Sequence, residues 1–236
     1  MNIALILSGG TGSRISSDRP KQYISVNGKM IITRCLEAVL SCKEIDAIQI
    51  VANERWRESI RLEGEKQIGQ AFVKRFRGFS EPGENRQLSI YNGLRDIVGY
   101  EDTTETDIVI VHDAARPLVS VDVLERCIDA CAERDGAMPA LPMKDTVYLS
   151  EDGKRISSLL DRKQVVAGQA PEAFVLGKYL AANEALLPKK ILSINGASEP
   201  AIKAGLDIAV IPGDERNFKI TTDPDLERYK KLIEQG

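Results

Sequence analysis

The sequence predicts an α/β fold: a doubly wound, mostly parallel sheet with a projecting β-hairpin arm. Three observations predict it. Strand-like apolar runs alternate with helix-periodic segments along most of the 236 residues. The runs Ile3-Ala4-Leu5-Ile6-Leu7, IDAIQIVA (Ile45 to Ala52) and DIVIV (Asp107 to Val111) are rich in the apolar, β-branched residues of a sheet covered on both faces. The alternation breaks after about Pro142, where Asp152-Gly153 lies between two β-prone runs and signals a hairpin.

Each element follows in order. The first strand ends in Ser8-Gly9-Gly10-Thr11-Gly12-Ser13-Arg14, and Ile31 to Leu40 then has helical periodicity. The strand Ile45 to Ala52 precedes a polar-faced helix from Arg55 to Ile68, and Ala71 to Phe76 reads as a weak strand. From Asn85 to Val98, helical spacing places Leu88, Tyr91, Leu94, Ile97 and Val98 on one face. Asp107 to Val111 is the clearest buried strand, and Ser120 reads as the cap of the helix after it. The hairpin spans Asp145 to Leu160, and Ile208 to Ile211 resumes the pattern. In the last helix Asp223 reads as the cap and Pro224 as the first turn, with Leu226, Tyr229, Leu232 and Ile233 inward. No repeat or linker interrupts this order. The chain reads as one domain, residues 1–236, with an arm over about 143–172.

Composition narrows the class. With 43% hydrophobic and 28% charged residues the chain can build a full core. A net charge of −3 argues against a nucleic-acid partner held on a broad basic surface. No apolar stretch is long enough to cross a bilayer and no signal-type leader is evident, so a cytoplasmic protein is expected. Cys127 and Cys131 fall in an apolar helix stripe and read as buried thiols, and a single histidine, His112, leaves no zinc pattern.

Two constellations carry chemistry. A buried strand that ends in a glycine-rich turn presents backbone N–H groups as an anion site, and Arg14 and Lys21 add fixed positive charge beside it. The same turn could be a plain strand-to-helix connection. It is not a Walker loop, since its lysine comes well downstream. It is not a dinucleotide fingerprint either, because Ile15 stands where the third glycine belongs. The second constellation is His112-Asp113-Ala114-Ala115-Arg116-Pro117, directly after the clearest strand. Ligands bind beyond the carboxyl ends of parallel strands, so Asp113 and the glycine turn should share a rim. Asp113 is the residue type that holds Mg²⁺, or else a structural cap; Arg116 could bind a phosphate or steady the aspartate.

LSGGTGSR…PKQY, VHDAARP, DTV and NFKITTDPDL occur here in the order found in the cytidylyltransferases of alcohol phosphates. The chain resembles that family over nearly its whole length. The family is best known from 2-C-methyl-D-erythritol 4-phosphate cytidylyltransferase of isoprenoid biosynthesis and from ribitol-5-phosphate cytidylyltransferase. The resemblance implies a Rossmann-like nucleotidyltransferase fold and a Mg²⁺-dependent reaction of CTP with a polyol phosphate, giving a CDP-alcohol and pyrophosphate. It implies that Ser8, Gly9, Gly10, Thr11, Gly12 and Ser13 wrap CTP, that Gly83, Arg86 and Ser89 contact cytosine and ribose, and that Arg116 belongs to the nucleotide site. Arg14 and Lys21 would stabilise the α-phosphate, with Lys219 near the phosphates and Asp113 beside Mg²⁺. Asp145 and Thr146 would open the arm toward the acceptor, and Arg162 would reach the acceptor across a homodimer.

Elementary chemistry agrees with that mechanism. An ionised phosphomonoester oxygen attacks the α-phosphorus and needs no strong base, so catalysis rests on positioning and charge neutralisation. The departures lie on the acceptor side. Gln169-Ala170-Pro171-Glu172 replaces a usual Thr-Pro-Gln run, losing a hydroxyl and adding a carboxylate that would weaken phosphate binding. Asn195-Gly196-Ala197-Ser198 lacks the usual acidic pair. Sugar-1-phosphate nucleotidyltransferases and a nicotinamide-dependent oxidoreductase fit the loops less well, and a silent nucleotide-binding relative is the remaining alternative.

Overall fold

The computed structural model describes residues 1–10 and 15–235. Thr11, Gly12, Ser13 and Arg14, four of the expected site residues, lie outside the described residues. The chain opens with β1 (Asn2–Leu7), a 3₁₀ turn at Lys21–Tyr23, and a small hairpin of β2 (Ser25–Val26) and β3 (Lys29–Met30). Asn27 and Gly28, both at positive φ, close that hairpin in the primed-turn geometry that matches strand twist. Next come α1 (Ile31–Ser41), β4 (Ala47–Val51), α2 (Glu54–Gln67), α3 (Gln70–Arg75), β5 (Phe76–Ser80) and α4 (Arg86–Ile97). They are followed by β6 (Ile108–Asp113), α5 (Val121–Ala130) and β7 (Gly136–Pro142). The arm contains β8 (Val147–Leu149), β9 (Ser158–Leu160) and β10 (Val166–Gly168). The chain then returns through β11 (Glu172–Val175), α6 (Leu176–Glu184), α7 (Ser198–Lys203), β12 (Ile208–Pro212) and α8 (Asp223–Gln235).

The main sheet has the order β10-β7-β11-β6-β1-β4-β5, with β12 on the other edge of β7. Strands β6, β1, β4 and β5 run parallel, as does β12 beside β7, whereas β11 is antiparallel to both of its neighbours. Successive residues of the central strands face opposite layers. Ala4, Ile6, Ile48, Ile50 and Ile110 pack under α1, α2 and α5, while Ile3, Leu5, Val51, Val109 and Val111 pack under α4, α6 and α7. This two-sided burial is why these strands carry few polar residues. Gln49 is a buried polar residue in mid-strand, and its amide is satisfied by Ser80 Oγ at 2.9 Å and the Tyr100 hydroxyl at 2.9 Å. Gly93 lets α4 approach β1, since a Cβ there would lie 2.4 Å from Leu5 Cδ1.

Four expectations need correction. The segment read as a weak strand at Ala71 to Phe76 is mostly α3: Phe72 and Val73 donate to Gly69 O, and Phe72 buries itself. The strand begins only at Phe76, where parallel pairing with Ile48 becomes available. The buried face of α4 is Ile90, Gly93, Leu94 and Ile97; Leu88 and Tyr91 turn instead toward Leu186, Ile191 and Ile194, and Val98 is exposed. In α8 it is Thr222 that opens the helix, accepting from Leu226 N while its own N–H donates to Asp225 Oδ2 at 2.9 Å. Asp223 instead accepts from Ser16 N and Ser16 Oγ, and Leu232 is exposed.

The hairpin forms, but with a long connection. Asp152 Oδ1 accepts from the N–H groups of Lys154 and Arg155, and Gly153 takes the positive φ this turn requires. Leu149, Ile156 and Leu159 of the arm are exposed. Cys127 and Cys131 are buried free thiols, as expected, and burial pushes both pKa values up.

Candidate active site

Strands β1 and β6 pair in register with Leu7 opposite Asp113. The glycine turn and the aspartate therefore leave the sheet side by side. A cleft of about 440 Å³ opens at this rim, lined by Gly9, Gly10, Lys21, Arg86, Asp113 and Lys219. Gly83 and Ser89 also line it, together with Gln22, Glu84, Asn85 and Thr221, which the sequence did not single out.

The turn is held from below by the Pro-Lys-Gln-Tyr segment. Gln22 Nε2 donates to Ser8 O at 2.8 Å and to Gly10 O at 2.7 Å, which leaves its neighbour Lys21 on the cleft wall. Ser8 itself is buried: its Oγ donates to the Tyr23 hydroxyl, which donates to Ser8 O, and Tyr23 stacks on Trp56 at 4.3 Å. Ser8 thus shapes the turn and does not line the cleft. Gly9 packs against the opposite loop so closely that a Cβ would sit 2.6 Å from Pro82 Cβ.

The opposite wall is the start of α4. Asn85 caps it by accepting from Leu88 N at 2.8 Å, and its Nδ2 donates to Ile191 O and Leu192 O. Ser89 Oγ accepts from Gly83 N at 2.9 Å, folding the Gly83–Arg86 loop over the helix end. An asparagine just before a helical run is a recognisable cap; its second bond, to a segment more than a hundred residues away, is not.

Asp113 sits at the bottom among three cations. Lys219 Nζ lies 3.0 Å from Oδ2, Arg86 Nε 3.3 Å from Oδ1, and Arg116 Nε 3.6 Å from Oδ2. Burial alone would raise the Asp113 pKa, but Arg86, Lys219 and Arg116 outweigh it and hold the carboxyl well below the usual range. Arg116 approaches from behind: its Nη1 donates to Asn217 O at 2.6 Å, and it does not line the cleft. Of the two roles open to it, this geometry favours steadying the aspartate. His112, one residue earlier, is fully buried. Its Nε2 faces Arg116 O at 3.1 Å and, since a carbonyl only accepts, carries the proton. Nδ1 has no hydrogen-bond partner among the described residues. Burial lowers the His112 pKa to about 4.

The acceptor-side residues are elsewhere. Arg162 Nη1 donates to Lys144 O at 2.9 Å, and Arg162 and Thr146 line a separate open hollow on the arm with Leu159 and Leu160. Asp145, beside Thr146, is likewise on the arm and does not line the cleft. Glu172, expected to oppose a phosphate, points away from solvent. It is 8% exposed, accepts a hydrogen bond from Ser198 Oγ, and lies 3.9 Å from Arg86 Nη2. Gln169 clips the loop before Asn217, exchanging two bonds with the backbone of Asp214.

A single Mg²⁺ suits this donor set. It takes one or two carboxylate oxygens and completes its shell with phosphate oxygens and water. Each carboxylate oxygen has two lone pairs; Oδ2 meets both Lys219 and Arg116, whereas Oδ1 meets Arg86, so Oδ1 is the Asp113 oxygen that would hold the metal. Among the described residues there is no group of three His, Cys, Asp or Glu side chains that could hold a metal unaided.

Among the described cleft residues none is a cysteine or a histidine positioned as nucleophile or base. What the walls supply is fixed positive charge and turn amides at the carboxyl edge of a parallel sheet, the equipment of a nucleotidyltransferase. Comparison with known proteins agrees. The family model "2-C-methyl-D-erythritol 4-phosphate cytidylyltransferase" (IspD) matches residues 2–235, and the chain belongs to that family. The 2-C-methyl-D-erythritol 4-phosphate cytidylyltransferase of Rubrobacter xylanophilus is 35% identical over 235 residues, covering 98% of this chain and 94% of that one. The ribitol-5-phosphate cytidylyltransferase of Streptococcus agalactiae serotype V is 28% identical over 235 residues, covering 99% and 95%. The crystal structure of 4-diphosphocytidyl-2C-methyl-D-erythritol synthase from Anaerococcus prevotii has a TM-score of 0.82 at 26% identity, covering 99% and 96% of the two chains. The chain is accordingly a cytidylyltransferase. No helix among the described residues is long and apolar enough to cross a membrane.

Proposed function

We propose that this enzyme transfers the cytidylyl group of CTP to the phosphate of 2-C-methyl-D-erythritol 4-phosphate, releasing pyrophosphate. The observation that carries the reaction is the cation-ringed Asp113 facing the glycine turn across one cleft. The acceptor is supported by the 35% identity to a relative named for methylerythritol phosphate, against 28% for one named for ribitol phosphate.

In this reading the triphosphate lies between the turn amides and Lys21 on one side and Arg86 and Lys219 on the other; Arg86, expected at cytosine and ribose, is assigned to the phosphates because it sits 3.3 Å from Asp113 beside Lys219. The acceptor phosphate is already ionised near neutral pH, so no residue need remove a proton, consistent with a buried, neutral His112. An acceptor oxygen attacks the α-phosphorus in line while the bond to the pyrophosphate oxygen breaks. Lys21, Lys219 and Arg14 stabilise the charge that accumulates on the α-phosphoryl oxygens. Mg²⁺ held on Asp113 would add charge neutralisation at the phosphates. The exposed apolar residues of the arm, Leu149, Ile156 and Leu159, are covered by a second copy of the chain, bringing Arg162 to the partner's acceptor.

The test is pyrophosphate release from CTP and Mg²⁺ over a panel of polyol phosphates. Methylerythritol phosphate should give the highest kcat/KM. A second acceptor, ribitol 5-phosphate, is supported by the 28% identity to a relative named for it, and a higher value for it would replace the first reading.

A further inference from the structure

Arg86, a cation of the cleft wall, spans two carboxylates. Its Nε lies 3.3 Å from Asp113 Oδ1, and its Nη2 lies 3.9 Å from Glu172 Oε1 on the neighbouring strand. Glu172 is buried at the start of β11, opposite Val111 of β6, and its other oxygen is occupied by the Ser198 hydroxyl at the start of α7. The flanking residues of α4 are tied to the same region. Asn85 Nδ2 binds the carbonyls of Ile191 and Leu192, and Gln87 Nε2 binds Asn183 Oδ1 at 2.6 Å. Three consecutive residues, 85, 86 and 87, thus fasten the wall of the cleft to the segment that follows the arm.

A guanidinium is a rigid plane with five donors. A single contact at Nε would leave it free to turn about its side chain. A second attraction at Nη2, from another direction, fixes the plane and leaves the remaining N–H groups for a ligand. Glu172 also shares the positive charge that would otherwise rest wholly on Asp113. A buried carboxylate is costly unless paired; burial raises the Glu172 pKa, and the attractions that favour its charged form come from Arg86, the group it orients, and from Ser198.

We propose that Glu172, braced by Ser198, is a positioning residue that holds the Arg86 guanidinium in the geometry that receives the nucleotide phosphates. It touches no substrate and acts through Arg86. The phosphate assignment rests on the cytidylyltransferase reading above, and the test keeps the two separable.

The experiment is a double-mutant cycle between Glu172 and Arg86, read both as CTP turnover and as calorimetric binding of inorganic tripolyphosphate. Glu172→Ala should lower kcat about tenfold and weaken tripolyphosphate binding about fivefold. In the Arg86→Ala background the same change should cost less than twofold in each, because the group it positions is gone. Glu172→Gln keeps an acceptor for Arg86 and a partner for Ser198, so kcat should stay within about threefold. Its KM for CTP should fall, since one negative charge has left the wall of an anion site. Equal losses in both backgrounds would show a merely structural role and overturn the proposal, as would a Glu172→Gln variant as impaired as Glu172→Ala. Should Glu172→Ala lack a cooperative melt, Ser198→Ala carries the same cycle, with an expected two- to fivefold loss confined to the Arg86 background. Absence of CTP turnover by the wild-type chain with every acceptor would reject the proposed function, while the tripolyphosphate cycle would still decide the role of Glu172.

Discussion

Lys21 reaches the cleft because Gln22, its neighbour, turns inward to bind the carbonyls of Ser8 and Gly10. Replacing Lys21 by Ala should therefore remove charge without unseating the turn. The expected result is a fall in kcat of about 10²–10³, with stability changed by less than about 1 kcal/mol. Steady-state kinetics and a urea melt check both halves. His112 makes a separate prediction. Its pKa is lowered from 6.5 to about 4 by burial, so between those values the unfolded chain binds a proton that the folded chain refuses. Its contribution is present in full above pH 6.5 and is lost as the pH falls toward 4. Urea melts should show wild-type stability dropping more steeply than that of His112→Gln, by on the order of 2 kcal/mol over about two pH units. Parallel slopes would exclude the histidine as the source.

At the scale of elements, the approach of α4 to β1 is set by Gly93. Alanine favours helices over glycine by about 1 kcal/mol, yet a Cβ here meets Leu5 at 2.4 Å in the buried layer. Overpacking should win, and Gly93→Ala is expected to lower stability by about 1–3 kcal/mol, measured by denaturant unfolding. The same packing explains what sequence periodicity could and could not reveal. The central strands were legible because burial on both faces demands unbroken apolar runs, and Ser120 was legible as a cap because its hydroxyl accepts from Val123 N. The face of α4 was misjudged because its inner row includes a glycine, which carries no hydrophobic signal. The strand at Phe76–Ser80 was misplaced because Phe72 and Val73 look β-prone while their N–H groups find Gly69 first.

For the whole molecule, the proposed assembly is tested at the arm, where Thr146 and Arg162 line a hollow separate from the cleft. If Arg162 serves a partner's cleft, inactive Arg162→Ala and inactive Lys21→Ala chains should complement when mixed and re-equilibrated. Half of the dimers would then be mixed, each with one intact site, so recovery of about a quarter of wild-type activity is expected. No recovery would place Arg162 and Lys21 in the same subunit's site or remove Arg162 from it.

The residues themselves determined the central strands, the glycine turn and the meeting of that turn with Asp113, because strand ends in a parallel sheet converge on one rim whatever lies between them. Only the tertiary structure decided which charges face the ligand. Arg116 and Glu172 are both ionisable residues near the site in sequence terms, yet one backs Asp113 and the other is buried against Arg86 and Ser198. A side chain's charge is written in the sequence; the direction in which that charge is presented depends on partners such as Asn217 and Ser198, brought in from distant elements by the packing of the sheet.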